Sequence, residues 1–229
     1  MQIDKDFENY LLRKISELRL PFDVSIGLGK VKRNIKIRDL DVDRRQLVLS
    51  DGKVVKFPDI KALWFRKGIG KKFLSLLPEE FRKARFDVFL YPHSKSNVER
   101  FQWHGPLVHY LVLSNQESVV MYAKLYVTAF SFVRPYSESL ISGDVRSVPV
   151  IPGKWREDFR EIRRLLLKSL KSPVPCTFVM RDGREFTGIP SINDFRRNSY
   201  TLRLFLPNRE NSSYKVFLLA HAIEDFWEA

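Results

Sequence analysis

A repeated alternation between one helix-like stretch and a run of short strand-like segments constrains this chain more than any other feature. In residues 4–19 the apolar side chains Phe7, Leu11, Ile15 and Leu18 fall three or four apart and leave Lys14, Glu17 and Arg19 toward solvent, which predicts an amphipathic helix. Pro78, Glu79 and Glu80 suit the first turn of a second, short helix ending near Arg85. Proline lacks the donor that would be orphaned there, and acids favour the positive end of the helix dipole. A third helix is predicted over 154–170, where Trp155, Phe159, Ile162 and Leu165 or Leu166 form one stripe and Pro173 ends it.

Each helix leads into alternating segments rich in β-branched and aromatic residues. The first set is 22–28, 31–38, 46–49, 54–57 and 60–65, with Asp51-Gly52 as a hairpin turn. The second is 86–91, 98–103, 108–113, 119–122 and 126–133, and the third 177–180, 185–189, 200–206, 215–219 and 223–227, where Asp182-Gly183 makes the first turn. The opening strands superpose as Phe22-Asp23-Val24, Phe86-Asp87-Val88 and Pro175-Cys176-Thr177, and the closing strands end in the aromatics Trp64, Phe130 and Trp227. Five twisted antiparallel strands of this length curl rather than lie flat. The predicted fold is therefore α+β: tandem small five-stranded antiparallel β-barrels, each preceded by an α-helix. The predicted domains are 1–67, 68–150 and 151–229. Their joints lie near 67–73 and near 137–153, where Ser137, Ser139, Ser142, Gly143, Pro149 and Pro152 favour an exposed connector.

Forty Lys and Arg against 27 Asp and Glu leave a net charge of +13, which favours a polyanionic partner and disfavours an acidic one. With 44% hydrophobic residues the chain has the means to build cores, so disorder is excluded as a general description. The lone Cys176 can form no intramolecular disulfide and points to a reducing compartment. The acids among residues 1–10 are unlike a signal peptide, and no window approaches ~18 consecutive apolar residues. A cytoplasmic protein with no membrane partner is expected.

The third segment joins two strands through Asp182-Gly183, places Gly188 where its second strand bends, follows with Asn193-Asp194, and ends Leu218-Leu219-Ala220-His221-Ala222-Ile223. In these features it resembles the Sm/Hfq (LSm) family of RNA-binding proteins. The resemblance is clearest over 154–228. It is weaker over 4–66, where Gly29, Asp39 or Asp41 and the Asp51-Gly52 turn fit while Pro58 stands at the place of His221, and weakest over 75–134, where Lys124 takes that place. The family's lysine before the histidine is Ala220 here. Family members join the fourth strand of one subunit to the fifth strand of the next, so the resemblance implies rings, and three barrels per chain imply a homodimer completing a ring of six. It also implies RNA contact at Asn193, Asp194 and His221, and on the loop 195–200.

Basic clusters supply the rest of the expected RNA surface. Residues 61–72 hold Lys61, Arg66, Lys67, Lys71 and Lys72 with no acid, and 31–38 hold Lys32, Arg33, Lys36 and Arg38. The third helix carries Arg163 and Arg164 among seven basic residues over 154–171, against three acids. Such clusters neutralise phosphates and release counterions; a solvated face is the plainer reading of each. In Phe195-Arg196-Arg197-Asn198-Ser199-Tyr200 aromatics interleave with guanidinium groups, the combination that grips single-stranded bases at Arg196, Arg197 and Tyr200. An ordinary turn with Phe195 and Tyr200 packed in the barrel competes with it, and His221 is equally read as a satisfied structural histidine. His93, His104, His109 and His221 lack metal-ligand spacing, and no phosphate-binding glycine loop or nucleophile elbow occurs. No catalytic residue, metal or cofactor is predicted. The expected function is non-catalytic binding of single-stranded or structured RNA. The alternatives are a structural module whose barrels only mediate oligomerisation and, more distantly, an enzyme or duplex-DNA binder on an unrelated small-barrel fold.

Overall fold

The computed structural model describes residues 5–27, 31–32, 37–95, 97–132, 141–146, 148, 164, 167, 174–191, 201–206 and 214–229. The chain divides into two compact units, Met1–Phe86 with Phe101–Lys124, and Asp87–Arg100 with Leu125–Ala229. The middle of the three repeated segments is thus shared between them.

The first unit opens with α1 (Lys5–Glu17), whose Leu11 and Ile15 are buried as the spacing predicts; Leu12, outside the predicted stripe, is buried with them, Phe7 is half-buried, and Leu18 lies beyond the helix and is 56% exposed. Arg19 ends the helix in a left-handed conformation, φ 46°, and the Leu20 N–H donates to the Ile15 carbonyl. There follow β1 (Asp23–Ile26), β2 (Val31–Lys32), β3 (Ile37–Asp41), β4 (Gln46–Leu49), β5 (Val54–Lys56) and β6 (Ile60–Arg66). The predicted joint at 67–73 is instead α2 (Lys67–Ser75), and the helix expected from Pro78 is the single turn α3 (Glu79–Arg82). After β7 (Phe86–Pro92), which belongs to the second unit from Asp87 onward, come β8 (Glu99–Pro106), β9 (Tyr110–Ser114) and β10 (Ser118–Ala123). In this unit the order β8-β9-β10-β6-β1-β2 makes one antiparallel run, and β3-β4-β5 a separate three-stranded sheet.

The second unit holds β7, β11 (Val127–Ser131), β12 (Ile141–Ser142), β13 (Cys176–Met180), β14 (Glu185–Pro190), β15 (Thr201–Leu206), β16 (Tyr214–Leu219) and β17 (Ile223–Glu228). Their order is β17-β13-β14-β15-β16-β11-β7, with β12 also on β14. Of the helix expected over 154–170, Arg164 and Leu167 are helical and the rest lies outside the described residues. Alternate residues of β13 to β16, among them Phe178, Phe186, Leu202, Leu204, Val216 and Leu218, are fully buried, each contributing about 1.5–3 kcal/mol. Gly188 sits in β14 because a Cβ there would stand 2.5 Å from the Phe205 carbonyl oxygen. At the Asp182-Gly183 turn the glycine has φ 86°, a conformation that favours a residue without a side chain.

The expected small five-stranded barrels are not what the strands build. Both units hold open antiparallel runs, and neither run closes on itself. The fifth strand of each segment does return beside its first, as β6 on β1, β11 on β7 and β17 on β13, each with a register shift. The fourth strand does not seal the set. β10 pairs with β6, the last strand of the preceding segment, and β16 pairs with β11 in the same way. A strand has only two hydrogen-bonding edges, so an edge engaged by a neighbouring segment cannot close a barrel. A short 3-10 turn, Phe57–Asp59, Lys124–Tyr126 or Ala220–Ala222, joins the fourth strand to the fifth in every segment, a feature absent from the strand pattern alone.

Candidate nucleic-acid interface

A basic surface grows out of α2. Its Gly70 and Phe73 face inward: Phe73 stacks on Phe65 of β6 at 4.3 Å and 5°, and a Cβ at Gly70 would meet Val119 Cγ2 of β10 at 2.7 Å. Glycine therefore lets the helix lie close on the sheet, and the remaining positions put Lys67, Lys71 and Lys72 into solvent. The exposed Arg82, Lys83 and Arg85 continue the strip around α3, against the exposed acids Glu79 and Glu80. Arg82 Nε donates to the Leu77 carbonyl at 3.0 Å and so fixes the chain between the two helices.

Not every cation of the 61–72 cluster reaches this surface. Lys61 is buried, its ammonium 5.2 Å from the centre of the Tyr122 ring, whereas Arg66 is exposed and ion-paired 3.5 Å from the Asp23 carboxylate. Lys124 also turns inward. Its ammonium donates to the Leu107 carbonyl at 2.6 Å, and burial lowers its pKa to about 8 against the opposing pull of the Glu8 carboxylate. Glu8 is itself buried and receives the His109 backbone N–H at 2.8 Å and its Nδ1–H at 2.6 Å.

In the second unit His221 is half-buried in its 3-10 turn, and its carbonyl accepts a hydrogen bond from Arg181 Nε at 3.2 Å. Arg164 is exposed on a helical residue. Arg163, Asn193, Asp194, Arg196, Arg197 and Tyr200 lie outside the described residues, as do Arg33 and Lys36. The geometry therefore gathers Lys71 and Lys72 with Lys67 on one surface, and separates Lys124 from it by turning that ammonium into its own unit.

No family model, curated protein or solved structure matches this chain.

The Asp182-Gly183 turn carries more than a change of direction. Asp182 is buried, and its Oδ2 accepts from Thr128 Oγ1 at 2.7 Å and the Ser94 N–H at 3.2 Å while standing 3.1 Å from the Arg184 guanidinium. Arg184, also buried, donates to the Pro92 carbonyl at 3.1 Å and to the Lys95 carbonyl. Burial lowers the pKa of Arg184, with Asp182 opposing, and burial also lowers that of His93, whose Nε2–H donates to the Val148 carbonyl. This buried pair ties the turn of the third segment to the strand end of the second. It is enclosed and ion-paired, with Arg184 Nη1 held by the charge of Asp182 and by no well-formed hydrogen bond, and its contacts are all to the fold itself.

Sequence reasoning missed a feature of the second unit, the half-exposed outer face of β15 and β16. Arg203 and Phe205 alternate along one strand, Lys215 and Phe217 along the other, and the register sets Arg203 opposite Phe217 and Phe205 opposite Lys215. The cation-x-aromatic spacing in both strands was the available signal, since residues two apart share a face of a strand. Among the described residues no three His, Cys, Asp or Glu side chains form a group able to hold a metal ion. None of the described helices is long and apolar enough to cross a membrane.

Proposed function

We propose that this chain is a non-catalytic RNA-binding protein, related to the Sm/Hfq family through its repeated segment, that engages single-stranded or structured RNA through exposed basic surfaces. The observation that carries the reading is the strip on α2 and α3, where Lys67, Lys71 and Lys72 stand exposed along one helix that contains no acid. A net charge of +13 gives it the long-range field that draws a polyanion. A cytoplasmic location goes with this reading, and the free, buried Cys176 suits a reducing compartment.

The test is a fluorescence-anisotropy titration of labelled RNA at several salt concentrations, with Lys67, Lys71 and Lys72 changed together to glutamine. Affinity should fall by a similar factor for every RNA sequence, and the slope of log K against log salt should flatten by about 2, at about 0.7 per phosphate contact on a single strand. A parent protein that binds no RNA at low salt refutes the reading.

A second reading, an assembly module, is favoured by the sheet edges. Among the described residues β17 pairs only with β13, and β5 only with β4. Edges of this kind are open to pairing with another chain, and so to joining copies of this one. The native mass of the particle, taken with and without RNA, separates assembly alone from RNA binding.

A further inference from the structure

We infer that the outer face of β15 and β16 is a stacking platform for the bases of single-stranded RNA. This rests on the RNA-binding reading and gives it a base-contacting site distinct from the basic strip. Inward positions of the two strands, Leu202, Leu204, Val216 and Leu218, are fully buried. Outward positions alternate cation with aromatic ring in both directions, along each strand and across the pair. The Arg203 guanidinium and the Lys215 ammonium each stand 5.8 Å from the centre of the Phe205 ring. Phe217 is backed by Phe130 of β11, stacked at 5.0 Å and 8°, which holds its ring rigid. On the other side Ile189 of β14, opposite Phe205 and 40% exposed, extends the apolar surface.

Half-exposed rings flanked by cations are ill suited to a purely apolar partner, which would strip water from two charges without pairing them. A nucleic acid satisfies both kinds of group at once: bases stack on Phe205 and Phe217, and phosphates meet Arg203 and Lys215. No Asp or Glu lies in β15 or β16 to repel that backbone. Phe205 and Phe217 are diagonal neighbours across the strand pair, roughly 7–8 Å apart. That exceeds the 3.4 Å step of a stacked duplex, so the face accepts an extended, unstacked strand.

The test uses the full chain with labelled U12, A12 and a 12-base-pair RNA duplex. Phe205→Leu and Phe217→Leu keep apolar volume and remove the ring. Each should weaken binding of both single strands about tenfold with the salt slope unchanged, and leave the duplex affinity as in the parent. Arg203→Gln and Lys215→Gln should instead flatten the slope by about 0.7 each. Ile189→Glu adds a charge at an exposed position, keeps the experiment decisive where a phenylalanine variant fails to fold, and should cost at least tenfold on single strands. Folded variants, checked by circular dichroism and melting, that bind U12 and A12 as the parent does overturn the platform. In that outcome a parent that still binds RNA with a steep salt slope leaves the basic-strip reading standing. A parent that binds none of the three probes overturns both.

Discussion

Replacing Lys124 with methionine should make the stability of the protein less dependent on alkaline pH while leaving RNA affinity unchanged. In the fold its ammonium is held in a half-buried site against the Leu107 carbonyl, with a pKa of about 8. In the unfolded chain the ordinary lysine value of about 10.4 applies. The unfolded state therefore binds more protons between these two values, and stability rises as pH increases through that window. A displacement of about 2.5 units at 1.36 kcal/mol each corresponds to a penalty of about 3 kcal/mol at neutral pH, of which about 2 kcal/mol is relieved between pH 7 and 9.5. Partial exposure makes that an upper figure, because water screens the charge. The assay is urea unfolding of parent and variant at both pH values. The parent should gain up to about 2 kcal/mol relative to the methionine variant on going from pH 7 to 9.5. A difference that stays constant with pH refutes the buried-lysine argument. A tenfold loss of RNA affinity in the folded variant would place Lys124 on the binding surface instead.

Changing Asp182 to alanine removes the acceptor shared by Thr128, Ser94 and Arg184 and leaves a guanidinium buried, so denaturant unfolding should show a loss of about 3–5 kcal/mol, most of it recovered when Arg184 is also changed to methionine. Gly188→Ala sets a methyl group against the Phe205 carbonyl and the side chains of Leu204 and Leu206, and should cost about 1–3 kcal/mol in the same assay; an unchanged midpoint would show that β14 has room to shift.

Much of the local structure was legible because its causes are local. The 3.6-residue spacing of Leu11 and Ile15 buries one side of α1, and the two-residue alternation in β14 and β15 alternates buried with half-exposed positions. Asp51-Gly52 and Asp182-Gly183 turn the chain where positive φ is required, with Gly52 at 81° and Gly183 at 86°. The basic run after Trp64 was visible too, but its division was not: Lys61 points into the unit, while Lys67, Lys71 and Lys72 point out of it, because a strand and then a helix carry them. The loop residues Arg196, Arg197 and Tyr200 lie outside the described residues, so the site expected there remains a reading of the sequence.

The sequence alone determined where most strands and turns fall and that the chain carries an excess of positive charge. Only the tertiary structure decided which strand lies beside which. Alternation along a strand specifies the face a side chain takes and is silent about the neighbour to which the backbone edge is bonded, since every edge offers the same N–H and C=O groups. For that reason β10 could pair with β6, and β16 with β11, in place of closing separate barrels. The same register decided that Arg203 faces Phe217 and Lys215 faces Phe205. Four residues from two strands thereby became one surface, because a two-strand face exists only once the pairing is set.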